Sequence, residues 1–132
     1  MRSIRSFTDD EAGSSPVEFV LVGVLLTVLT LAVLQFGLAV YVRNVVHDAA
    51  VEGAFHAALA DTSLADGTER TAVIVSRAVG AEYASDIAAR EVDAAAGRQV
   101  EITVRAALPL LGLLGIPRTM EVSARAPVET LE

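Results

Sequence analysis

The sequence predicts an α+β protein: a single N-terminal transmembrane helix that extends into a small domain of one further helix and a short antiparallel sheet. Three observations predict it. Residues 19–42 form an uncharged apolar run, FVLVGVLLTVLTLAVLQFGLAVYV. Further on, Ala72, Val75 and Val79 recur at helical spacing. In the last third the period shortens to two, with Val100, Ile102, Val104 and Ala106 alternating with Glu101, Thr103 and Arg105, and Met120, Val122, Ala124 and Ala126 alternating with Glu121, Ser123 and Arg125.

The first element is the apolar run. At about 1.5 Å per residue it makes a helix roughly 36 Å long, more than the roughly 30 Å hydrocarbon core of a bilayer. A buried helix of a soluble bundle would need apolar partners on every side, and the rest of the chain offers no second helix of that kind. A secretory signal peptide has an apolar run of about 7–15 residues ending at a small-residue cleavage site; this run is longer and continues into Arg43 and Asn44. The segment is therefore expected to stay as a single membrane span. Charges stand at both of its ends, Arg2 and Arg5 before Asp9, Asp10 and Glu11 on one side, Arg43 and His47 on the other, so the positive-inside bias is small.

Beyond the span the helix is expected to run to about Ala60, giving one long helix over 14–60. Ala49, Gly53 and Ala57 lie four apart on one face, a small-residue stripe that allows close helix approach. Asp48, Glu52 and His56 share another spacing of four, but no fourth ligand accompanies them and no metal site is expected. A break over 61–67 is followed by Asp66-x-x-Glu69, read as a capping box, and a second helix over 68–84. A third strand over 90–95 is expected to join the first strong one through a Gly97-Arg98 turn. If the two strong strands pair antiparallel with Thr103 opposite Ser123, then Glu101 faces Arg125 and Arg105 faces Glu121 on the polar side. Between them, Leu108, Leu110, Leu111, Leu113, Leu114 and Ile116 are too apolar for a solvated loop and too few to span a membrane. They are expected to form a contact surface.

The residues at the start of the span carry the most information. Gly13-Ser14-Ser15-Pro16-Val17-Glu18-Phe19 places a Gly shortly before the helix and a lone acid in its first turns. Pro16 is tolerated there because the first N–H groups of a helix are unpaired. A carboxylate in hydrocarbon is costly unless it is neutralised. An interfacial Glu favoured by the helix dipole is the plainer reading of the same residue. The start resembles a prepilin cleavage motif, and with the F-G at Phe36-Gly37, the R-N at Arg43-Asn44 and Ala49-Ala50-Val51-Glu52-Gly53-Ala54 it resembles the TadE-like family of pilus assembly proteins. The resemblance covers about residues 13–58.

That resemblance implies a leader over 1–13, cut by a prepilin peptidase between Gly13 and Ser14, and subunit assembly through Glu18 and Phe19. It implies a minor pilin or pseudopilin of a Tad-type pilus or related secretion filament. The N-terminus would be cytoplasmic and the domain over 61–132 extracytoplasmic. Its partners would be the membrane, the peptidase, other pilin-like subunits and the pilus machinery. The competing reading is a membrane-anchored binding or regulatory module unrelated to pili. The composition bears on other classes: a formal charge of −7 disfavours nucleic acid, and the lack of Cys closes thiol chemistry. No phosphate loop or nucleophile motif is present, so no enzyme activity, cofactor or small-molecule substrate is expected.

Overall fold

A computed structural model describes residues 14–108 and 119–130. Among the described residues five regular elements follow one another, α1 (Ser14–Ala58), α2 (Leu64–Ala78), β1 (Asp86–Ala94), β2 (Gly97–Ala107) and β3 (Thr119–Pro127), with a 3-10 turn at Ala81–Ala84. The fold is α+β, with one long apolar helix, one further helix and a three-stranded antiparallel sheet of order β1-β2-β3. The chain divides into two units at Gln35 and Phe36.

In the first unit, α1 is apolar on all sides and its large side chains stand exposed; Phe19 is 80% exposed and Leu25 65%. Its two threonines answer their own polarity. Thr27 Oγ1 donates to the Gly23 carbonyl and Thr30 Oγ1 to the Leu26 carbonyl, both at 2.8 Å. A helix with its backbone bonded internally and its hydroxyls folded back presents hydrocarbon alone, the condition for lying in lipid.

In the second unit the burial of α1 becomes periodic. Val42, Val46, Ala49, Ala50, Gly53, Ala54, Ala57 and Ala58 are buried, a stripe at three- and four-residue spacing facing the domain core. The inner face of the sheet completes that core with Val100, Ile102, Val104 and Ala106 from β2 and Met120, Val122, Ala124 and Ala126 from β3. Val75 of α2 closes it. Most of these side chains are small, so tight backbone approach contributes much of the packing.

The register of β2 on β3 is the one the charge pattern predicts, with Thr103 opposite Ser123, Glu101 opposite Arg125 and Arg105 opposite Glu121. Elsewhere the elements lie a few residues from their expected bounds. The second helix spans Leu64–Ala78 rather than 68–84, because the capping box is formed by Ser63 and Asp66, not Asp66 and Glu69: the Asp66 amide donates to Ser63 Oγ at 3.2 Å and the Ser63 amide to Asp66 Oδ2 at 2.8 Å. The Ser63 hydroxyl, which also donates to Asp66 Oδ2 at 2.7 Å, and after it the Ser63 amide hold the Asp66 carboxyl below the usual range. The helix stops where Gly80 takes φ +122, a conformation that glycine accepts readily, and its amide reaches the Val75 carbonyl. The first strand is Asp86–Ala94, longer than the expected 90–95. The chain reverses at Ala95–Ala96 rather than Gly97-Arg98, since Gly97 already pairs with Ala94.

Candidate assembly sites

Three places hold the residues singled out from the sequence. At the start of α1, Ser14 Oγ donates to Glu18 Oε1 at 2.9 Å. One helical turn separates them, the spacing at which side chains on a helix meet. Phe19 stands exposed beside them. Gly13, the proposed point of cleavage, lies outside the described residues, as does the rest of the 1–13 leader.

At the second place, Gly53 of α1 meets Gly67 of α2. A Cβ on Gly53 would overlap Thr71 Oγ1, stand 2.7 Å from the Gly67 carbonyl oxygen and come within 3.0 Å of Ile102 Cδ1. A Cβ on Gly67 would stand 2.7 Å from the Gly53 carbonyl oxygen and collide with Ala57 Cβ at 2.5 Å. Two helices and the sheet therefore meet where neither glycine can carry a side chain. The Thr71 hydroxyl, fully buried, lies 2.9 Å from the Gly67 carbonyl and 3.4 Å from that of Ala49, which satisfies its donor. So Ala49, Gly53 and Ala57 all face inward within the chain. Glu52, by contrast, accepts from Arg70 Nε at 3.0 Å on the surface. Among the described residues no group of three His, Cys, Asp or Glu is placed to hold a metal ion.

At the third, Leu108 is half-buried and packs on the core. Leu110, Leu111, Leu113, Leu114 and Ile116 lie outside the described residues.

The outer face of the sheet adds a feature that sequence reasoning captured only in part. Glu101 is 3% exposed although it points away from the core. Arg125 Nε donates to its Oε2 at 2.5 Å and Arg90 Nε to its Oε1 at 2.7 Å. The two guanidiniums cover the carboxylate from either neighbouring strand and hold it below the usual carboxylate range, Arg125 first and Arg90 second. Beside this triad Thr103 Oγ1 and Ser123 Oγ are 3.2 Å apart, and Arg105 Nε donates to Glu121 Oε2 at 2.6 Å. Arg90 was the missing member. A tight turn centred on Ala95–Ala96 would have put it opposite Glu101.

Such a structure defines a class: a small α+β domain on a long helix that fits a membrane anchor, with its polar groups satisfied by one another. Residues 13–54 match the family model described as TadE-like protein, a span of less than half of the chain. Over that segment the chain is similar to TadE-like proteins, and the match supports a component associated with Tad pilus assembly in general, a family not known for enzymes. Comparison with curated proteins and with solved structures finds no match.

Proposed function

We propose that this chain is a minor pilin or pseudopilin of a Tad-type pilus or a related secretion filament, processed after Gly13 and assembled through Glu18. The observation that carries the reading is the TadE-like match beginning at Gly13, directly ahead of a turn in which residue 14 and Glu18 are already in contact. In a helix array the α-amino group freed at Ser14 of one subunit neutralises the Glu18 of its neighbour, which removes an otherwise costly charge from the apolar layer. Phe19 and the uncovered apolar surface of α1 supply the side-by-side packing. On this reading residues 1–13 are cytoplasmic, the span is 19–42, and the small domain projects on the other side. The segment from Leu108 to Ile116 then offers an apolar contact to a partner subunit or to the outer leaflet.

The test separates processing from assembly. Gly13→Leu should leave residues 1–13 attached, read by N-terminal sequencing of the membrane-extracted protein. Glu18→Ala should give a processed, inserted protein that no longer supports pilus production, since losing a carboxylate makes insertion easier rather than harder. An intact Met1 terminus in the mature envelope, or normal piliation with Glu18→Ala, would leave a membrane-anchored module in place of a pilin.

A further inference from the structure

The outer face of the sheet carries its charges in rows. Direct cross-strand pairing sets Asp86, Arg105 and Glu121 side by side across β1, β2 and β3, a row of signs minus, plus, minus. Two residues further along each strand come Ala88, Thr103 and Ser123, all small. Two further still come Arg90, Glu101 and Arg125, plus, minus, plus. The face is neutral in sum, while the chain carries a formal charge of −7. The remaining surface is therefore the acidic part, and this face is where a second acidic molecule of the same kind meets least repulsion.

We propose that this face is a self-complementary contact at which two copies of the chain meet across a two-fold axis passing through Thr103, perpendicular to the strands. A rotation about that axis keeps the columns and exchanges the outer rows. Asp86 then faces the second copy's Arg90, Arg105 faces Glu101, and Glu121 faces Arg125, with each contact made twice. The small middle row crosses the axis against itself and lets the faces approach to about the 10 Å of stacked sheets. A two-fold axis along the strands instead sets each row against its own copy, minus on minus and plus on plus. The pattern thus selects one of the two in-plane orientations, as an isologous interface requires.

Within each copy the same groups already pair: Arg105 with Glu121 at 2.6 Å, and Arg90 and Arg125 with Glu101. These pairs hold the long side chains in place, so little further rotamer freedom is lost on contact. Three strands present far less than the roughly 800 Å² per partner of a stable interface. The contact therefore fixes the orientation of copies that are already gathered, and it weakens as salt rises. It does not depend on the pilin reading.

The native chain has no Cys, so one introduced thiol reports on itself. Full-length protein carrying Thr103→Cys in detergent should be cross-linked to a dimer by a short bis-maleimide, which spans the roughly 10 Å between facing Cα atoms that a direct disulfide does not, and the exposed turn variant Ala96→Cys should not. Adding Asp86→Arg or Arg90→Glu to Thr103→Cys sets like charges across the axis and should lower trapping about fivefold at low salt. Mixing those two variants restores opposite charges at the same positions and should recover the cross-link between unlike chains. That recovery cannot come from a misfolded subunit. Equal trapping from Ala96→Cys, or no recovery in the mixture, overturns the proposal. Should Arg90→Glu unfold, the double exchange Arg105→Glu with Glu121→Arg retains the internal pair, and unchanged trapping in that variant overturns it equally.

Discussion

Gly53→Ala tests the packing of α1 on α2 most directly, because two opposing effects can be weighed. Alanine gains about 1 kcal/mol over glycine in a helix interior through backbone entropy and propensity. Against this, its Cβ would overlap Thr71 Oγ1 and sit 2.7 Å from the Gly67 carbonyl oxygen. Thr71 is fully buried and held by two carbonyls, and the Gly67 oxygen is backbone, so neither can swing away. Overpacking of this kind typically costs about 1–3 kcal/mol, and rigid neighbours place it at the upper end. The net expectation is a loss of about 1–2 kcal/mol. For a domain of this size each kcal/mol moves the midpoint by about 4–8 °C, measured by circular dichroism of the full chain in detergent. Adding Thr71→Ala removes one of the two clashes, and the pair should show favourable coupling of about 1 kcal/mol in a double-mutant cycle. A Gly53→Ala protein as stable as the parent would mean that the helices can separate there at little cost, and the close-approach argument would fail.

Two other perturbations reach different parts of the molecule. The Glu101 carboxyl is held below its ordinary range in the folded state by Arg125 and Arg90, so the stability it contributes is full above the unfolded value of about 4.3 and is lost as pH falls through the lower folded value. Glu101→Gln should flatten that acid limb in pH-resolved melts; an unchanged limb would mean that other carboxylates dominate it. Replacing Leu111 and Leu114 with Ser should impair assembly or membrane association more than folding, read by fractionation beside a thermal melt, and no change in either would reduce the segment to a plain loop.

Much of this architecture is written locally in the chain. An uncharged run too long for a soluble core announces an apolar helix, and strict alternation announces strands. Register followed too, because Glu101, Thr103 and Arg105 find opposite charge or a matching hydroxyl in Arg125, Ser123 and Glu121 at one alignment only. The likeness to TadE-like proteins was legible for a similar reason: the pieces that carry it, from Gly13 to Ala54, are close in sequence, and their order and spacing are the signal.

What tertiary structure decided was everything that depends on a distant partner or on where a turn closes. With the turn at Gly97-Arg98, Arg90 would have stood opposite Arg105; closing at Ala95–Ala96 brings it to Glu101 and buries that carboxylate beneath two guanidiniums. Ser63 outcompeted Glu69 for Asp66 because its hydroxyl and amide both reach the carboxylate at the helix entry. And the need for glycine at 53 is invisible along the chain. The stripe of Ala49, Gly53 and Ala57 could equally be good helix formers, until Gly67 and Thr71, brought from another helix, leave no room for a side chain at its centre. Periodicity reports which face a residue turns to, whereas close approach is a property of two backbones at once.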